Sequence, residues 1–229
     1  MKIMILTHDF ECKLVNELKK INNIILKCSY NYQDISSDFD IVFAHNYDKL
    51  IPEAFFATPK VGLFVLHSTD LPKGRGWAPI YYSISNNESL YTISLIKISK
   101  KVDEGNIFLK LKIKKPLLIT NDNLREIDED AITFLIKEFI FLCEKNIIIR
   151  NSLGQVQDHS KATYNKKRTP EDNNLNKERS IENQLSKILA TNSDYPAYII
   201  IENTKVYLSA RIDKYYNFDD LEYTIERFI

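Results

Sequence analysis

The sequence predicts an α/β fold: a Rossmann-like, mostly parallel sheet followed by a small C-terminal α+β subdomain. Three observations carry this reading. Short apolar runs alternate with a helical pattern through the first third of the chain. The period then changes to a strand-like alternation, and one long helical stripe follows it. A polar stretch at residues 151–179 then sets apart a last group of short apolar segments. At 229 residues the chain is long enough for one large domain and an appendage. The expected division is 1–150 for the main domain, 151–179 for a polar connection and 180–229 for the small subdomain.

The elements follow in order. Ile3 to Leu6 is a short apolar run closed by Thr7, His8 and Asp9, as in a central parallel strand. Leu14, Val15, Leu18 and Ile21 recur at helical spacing. Ile24 to Leu26, Ile41 to Ala44 and Val61 to Leu66 read as further strands, the last leading straight into His67. No glycine follows the first strand, so the GxGxxG dinucleotide signature is absent and neither a nicotinamide nor a flavin is inferred. Tyr91, Ile93 and Leu95, then Ile107, Leu109, Leu111 and Ile113, alternate as two neighbouring antiparallel strands around the VDEGN loop. A long helix is expected from Leu124 to Lys145, with Ile132, Leu135, Ile136, Phe139, Ile140 and Cys143 as its apolar stripe. Beyond the polar connection, Ile181, Leu185, Ile188 and Leu189 form a helix face. Ala197 to Glu202 and Lys205 to Ile212 form a hairpin around Asn203-Thr204, and Phe218 to Ile229 reads as an amphipathic helix through Leu221, Ile225 and Phe228.

Composition narrows the function. Basic and acidic side chains number 31 each, so no electrostatic footprint for nucleic acid is present. Cys12, Cys28 and Cys143 are scattered, which fits reduced thiols in a cytoplasmic compartment and no zinc cage. No apolar run reaches the length of a membrane span, and the N-terminus lacks a secretory signal. No His/Asp/Glu spacing suggests a metal site.

The stretch HSTDLPKGRGWAPI, His67 to Ile80, concentrates unusual residues. It holds two of the five glycines, Gly74 and Gly76, and the only tryptophan, Trp77. A histidine ending a strand stands at the sheet edge where open α/β folds bind ligands, and its proton is easily moved near neutral pH. Pro72 stiffens the turn, and the glycines allow backbone angles a side chain would block. His8, Asp9 and His45 lie near other strand ends and read as structural; His159 reads as solvated.

In register, His67, Thr69, Leu71, Pro72, Arg75, Gly76 and Pro79 resemble the HxSxLPxxRGxxP pattern of the formyltransferases that use 10-formyltetrahydrofolate. KVDEGNI (Lys101 to Ile107) resembles their LDxGxI loop. NYDKLIP (Asn46 to Pro52), RTPED (Arg168 to Asp172) and YPA (Tyr195 to Ala197) resemble further blocks, in family order. The form of the first block looks most like a bacterial subgroup of amino-sugar N-formyltransferases, including pseudaminic-type pathways of surface glycans. The resemblance implies His67 and Asp103 as catalytic groups. The family's Asn two places before the histidine is Val65 here, so its hydrogen bond must come from elsewhere, with Thr69 the side-chain candidate. It implies a folate site between Tyr47, Asp48, Lys49 and Leu50 on one side and Val102 and Glu104 on the other. Arg75, Gly76 and Trp77 would face the amino-sugar substrate, with Arg75 either on a phosphate or fixing its own loop. A methionyl-tRNA formyltransferase shares this core and is the second reading. The basic residues Lys161, Lys166, Lys167 and Arg168 favour it, whereas the short C-terminal region and the zero net charge do not. A non-catalytic folate- or sugar-nucleotide-binding homologue, resting on Val65 alone, is the third. A homodimer is compatible with the C-terminal apolar face.

Overall fold

The structure, a computed structural model, describes residues 1–229. Strands β1 (Lys2–Leu6), β2 (Ile25–Ser29), β3 (Ile41–Ala44) and β4 (Gly62–His67) form the parallel half of a seven-stranded sheet, with helix α1 (Lys13–Leu18) crossing between β1 and β2. The chain continues through a two-residue strand β5 (Arg75–Gly76) and helix α2 (Pro79–Ser85). Strands β6 (Leu90–Lys97) and β7 (Ile107–Lys114) then add as an antiparallel hairpin. Helix α3 (Asn121–Glu144) follows. Then come β8 (Tyr164–Asn165), α4 (Leu185–Ala190), β9 (Ala197–Ile201), β10 (Thr204–Leu208) and β11 (Tyr223–Arg227). The sheet order is β11-β7-β6-β4-β3-β1-β2. The antiparallel pairings turn β6 and β11 against the other five strands, so most of the sheet runs one way.

Strands β1 and β3 and the first half of β4 are buried on both faces, which explains their unbroken apolar runs, whereas β2, at the sheet edge, is partly exposed. Ile3 and Ile5 join Ile41, Phe43 and Phe64 in the main core, against α1 and α3. Met4 and Leu6 point the other way, with Val42 and Leu63, into a smaller core closed by Ile35, Phe39 and Ile51. All six residues of the expected α3 stripe are buried. Phe139 anchors it, its ring 4.6 Å from that of Phe64. The helix starts at Asn121, ahead of the expected Leu124, because the Thr120 hydroxyl caps the Asn123 N–H.

Two C-terminal expectations are corrected. Phe218 to Ile229 is not an amphipathic helix: a short turn, Phe218–Asp220, leads into β11, which pairs with β7 with Ile225 opposite Leu111. The i, i+4, i+7 apolar spacing was helical, but Tyr223-Thr224-Ile225 favours a strand, and the free edge of β7 needed a partner. The hairpin turns at Glu202-Asn203, both left-handed (φ 46° and 63°), as a two-residue connection requires, and its second strand stops at Leu208. Residues 180–229 thus form one small sheet of their own, β9-β10, and also complete the central one. No helix is long and apolar enough to cross a membrane.

His45, at the end of β3, is buried, and burial lowers its pKa from 6.5 to about 4. The Asn46 carboxamide stands 3.3 Å from its Nε2, as a donor to a neutral ring would. The unfolded chain takes up this proton near pH 6.5, whereas the folded chain does so only near pH 4, so stability falls as the pH drops through that window. In His45→Gln this part of the acid loss should disappear, as read from urea midpoints at about pH 7 and about pH 4.5. An unchanged pH slope would show that the ring already titrates normally.

Candidate active site

His67 is the last residue of β4, opposite Ser94 of β6. Alternation along the strand sends His67 and Ser68 to opposite faces. On the α3 face, the Ser68 hydroxyl donates to Asp128 at 2.7 Å, and the Tyr91 hydroxyl donates to the same carboxylate oxygen at 2.8 Å. Burial pushes the Asp128 carboxyl up despite these two donors. The strand end is therefore tied down from behind. On the other face lies the imidazole. Its Nε2 is 3.0 Å from the carbonyl of Gly74. A carbonyl only accepts, so Nε2 carries the proton and Nδ1 is the nitrogen that faces the site.

Nδ1 lies 3.6 Å from Asp103 Oδ1, and both side chains are only about a tenth exposed. This meeting requires a long detour. The chain leaves β6 level with Leu63, where the Ile98 N–H donates to the Leu63 carbonyl at 2.9 Å. That is four residues short of His67, on the order of 13 Å along the strand. The 98–106 loop must curl back to bring Asp103 to the histidine. Asp103 itself is left-handed (φ 59°), and the Gly76 N–H donates to its Oδ2 at 2.9 Å. Two glycines make the fit. A Cβ on Gly76, whose φ is +98°, would stand 2.6 Å from the Asn165 carbonyl oxygen, and one on Gly105 would stand 1.7 Å from the Lys97 carbonyl oxygen.

Arg75 and Glu104 belong to one polar network, and of the two roles expected for Arg75 the loop-fixing one fits its surroundings. Arg75 is 1% exposed. Its guanidinium pairs with Glu104 at 3.0 Å, donates to Gln157 Oε1 at 2.7 Å and to the Tyr164 hydroxyl at 3.0 Å, and meets His159 Nδ1 at 3.1 Å. It has no free face for a substrate phosphate and fixes the loop instead. The Glu104 carboxylate is engaged in the same network, which leaves its backbone as the part that could face a folate. His159, expected in solvent, joins this network at its exposed edge. The residue that sequence reasoning missed is Gln157. It is buried, and its amide donates to the carbonyls of Asp103 at 2.8 Å and Gly105 at 2.7 Å while its oxygen receives Arg75. A lone glutamine in a polar segment carries no sequence signal of burial.

Other expected residues are placed as follows. Thr69 Oγ1 is buried with no hydrogen-bond partner among the protein groups, two residues from His67. Val65 is packed with Leu71, Ile96 and Ile107 beneath the returning loop. Tyr47 donates to the Tyr30 carbonyl at 3.3 Å, Asp48 accepts from the Tyr30 hydroxyl at 2.8 Å, and Lys49 lies 3.5 Å over the Tyr30 ring. Leu50 and Val102 are exposed, at 81% and 65%. Their segments meet at the Lys100–Glu53 pair, 3.6 Å apart. Trp77 is exposed, with the Lys167 ammonium 4.7 Å over its ring. His8 is held through Nδ1 at 2.6 Å from the Asn46 carbonyl.

Removing Arg75 would strand Glu104 in a mostly buried site. Arg75→Met should lower the unfolding free energy by about 3 kcal/mol, measured by denaturant titration. A loss below about 0.5 kcal/mol, the scale of an exposed pair, would contradict the clamp.

Comparison with known proteins bears on the whole chain and its fold. A methionyl-tRNA formyltransferase of Mycoplasmopsis pulmonis is 31% identical over 182 residues, 79% of this chain and 62% of that protein. The chain thus spans about three-fifths of that relative's length. Among solved structures, a methionyl-tRNA formyltransferase from Clostridium thermocellum matches with a TM-score of 0.71 at 22% identity, over 100% of this chain and 99% of that one. A sugar N-formyltransferase from a Shewanella species matches with a TM-score of 0.67 at 17% identity, over 93% of this chain and 99% of that one. No family model matches the chain. Over 79% of its length the chain is similar in sequence to a formyltransferase, and over its whole length it shares the fold of solved formyltransferases.

Proposed function

We propose that this protein transfers a formyl group from 10-formyltetrahydrofolate to the amine of an amino sugar, a nucleotide-linked acceptor in bacterial surface-glycan synthesis. The observation that carries it is the convergence of His67 Nδ1 and Asp103 on one half-closed site. An amine attacks a formyl carbon only as the neutral base, so a proton must leave it as the new C–N bond forms. With Nε2–H committed to Gly74, Nδ1 is the atom that accepts this proton. The resulting imidazolium faces the Asp103 carboxylate, whose orientation is fixed by the Gly76 N–H. The separation of 3.6 Å is longer than a direct hydrogen bond and leaves the pair free to tighten when the charge develops.

A bound folate would supply the formyl carbon: as the new C–N bond is made, the bond from that carbon to N10 of the folate breaks, and the proton taken up by His67 returns to the leaving N10. The exposed apolar side chains of Leu50 and Val102, on segments joined by Lys100 and Glu53, suit the face of a flat heterocycle. Developing negative charge on the formyl oxygen needs a donor, and Val65 offers none. The unpartnered Thr69 hydroxyl is the candidate. A second reading, transfer to a charged initiator tRNA, is favoured by the sequence likeness to the Mycoplasmopsis enzyme. The balance of 31 basic and 31 acidic side chains argues against it.

The direct test is incubation with 10-formyltetrahydrofolate and a panel of nucleotide-linked amino sugars, with tetrahydrofolate release as the readout. Release with a sugar and not with charged initiator tRNA is expected; the reverse would establish the second reading. His67→Asn should abolish turnover while folate binding stays near normal. Thr69→Val should lower kcat by about 10²- to 10³-fold, the usual cost of one oxyanion donor, and Thr69→Ser should restore most of it. Equal activity in Thr69→Val would remove the hydroxyl from the mechanism.

A further inference from the structure

A cavity of about 460 Å³ opens beside the site, between α2, the 166–176 segment and α4. Its lining is almost wholly polar, and its charges are unbalanced: Lys166, Arg168, Arg179 and Lys187 against Asp172 alone. Asp172 is taken, accepting from Lys166 at 2.6 Å and from the Thr169 N–H at 2.8 Å. Three cations therefore share one concavity without a carboxylate partner on its wall. Two of them, Arg168 and Lys187, are held in place by neutral groups. The Arg168 guanidinium stacks 3.3 Å over the Tyr81 ring, and its Nε is buried with no partner. The Lys187 ammonium donates to the Asn174 carbonyl at 2.8 Å, leaving further N–H bonds to offer. Burial lowers the pKa of both groups, with the nearby Asp172 carboxylate acting in the opposite direction. Asparagine, glutamine and serine side chains complete the wall as neutral donors.

The cavity is tethered to the reacting centre. The Asn165 amide lies 3.5 Å from the Gly74 carbonyl, the same oxygen that contacts His67. The Trp77 N–H donates to the Asn165 carbonyl at 3.2 Å, and the Tyr82 hydroxyl donates to the Lys166 carbonyl at 3.1 Å. Arg168 lies three residues beyond Asn165, at most about 10 Å of extended chain.

We infer that this cavity is a diphosphate-binding subsite that holds the phosphoryl groups of a nucleoside diphosphate while the attached sugar reaches His67. The choice of a sugar-linked nucleotide rests on the proposed function; the anion site itself does not. A half-open concavity of this volume suits a small ligand rather than a duplex backbone, which is met by an extended basic face.

Calorimetric titration with inorganic pyrophosphate and with a nucleoside diphosphate tests it. Both should bind, the nucleotide more tightly. Arg168→Gln and Lys187→Gln should each weaken binding about tenfold, with the melting temperature recorded for each variant. Lys187 is the safer probe, because Arg168 also packs on Tyr81. His67→Asn should bind like the wild type, which separates this subsite from the transfer reaction. Wild-type affinity in Lys187→Gln, no binding of either anion, or tighter competing binding of tRNA would each overturn the subsite, whatever the outcome of the transfer assay.

Discussion

The site depends on one carboxylate being carried back over the sheet. Asp103 belongs to a loop that leaves β6 level with Leu63, yet its side chain meets an imidazole four residues further up β4. Nothing local holds a nine-residue loop in that position. It is held by Gly76, which receives the carboxylate on its N–H, and by Gln157, which binds the carbonyls on either side of Glu104. Arg75 locks Gln157 and Glu104 together. A charge buried this deeply is costly without partners, and here the partners are the loop itself. The histidine turn and the aspartate loop are thus one rigid body assembled from three distant parts of the chain.

The sheet divides the labour at the strand end. His67 faces the open side, whereas its neighbour Ser68 is bound to Asp128 of α3 on the packed side. The same pleat that places one side chain in the site anchors the next to the longest helix. The remaining ring nitrogen is fixed by Gly74, so tautomer and orientation are set before any ligand arrives. The polar connection expected at 151–179 takes part in this: its residues 157, 159, 163, 164 and 165 contact the two loops, residue 155 pairs with Ile107 at the start of β7, and its far end walls the basic cavity.

Much of this was legible in the sequence where the signal is local. The alternation of Tyr91, Ile93 and Leu95, the α3 stripe and the strand ending in His67 all follow from side-chain period and burial. The pairing of His67 with Asp103 was legible only through resemblance, because no periodicity links residues in separate loops. Arg75 reads equally as a phosphate contact or as a fixture of its own loop; its burial depends on partners more than eighty residues away. Gln157 gave no signal for the same reason. The last strand was misread because Leu221, Ile225 and Phe228 have helical spacing, while the deciding factor was the unpaired edge of β7.

The central claim is that His67 offers its Nδ1 to Asp103 while Nε2–H is held by Gly74. Nitrogen-15 NMR of the imidazole reads this directly. The account predicts an Nε2-protonated ring in the neutral form, and an Nδ1 resonance that shifts on Asp103→Asn with Nε2 nearly unmoved. A proton resident on Nδ1 in the neutral ring, or an Nδ1 resonance indifferent to Asp103, would contradict it.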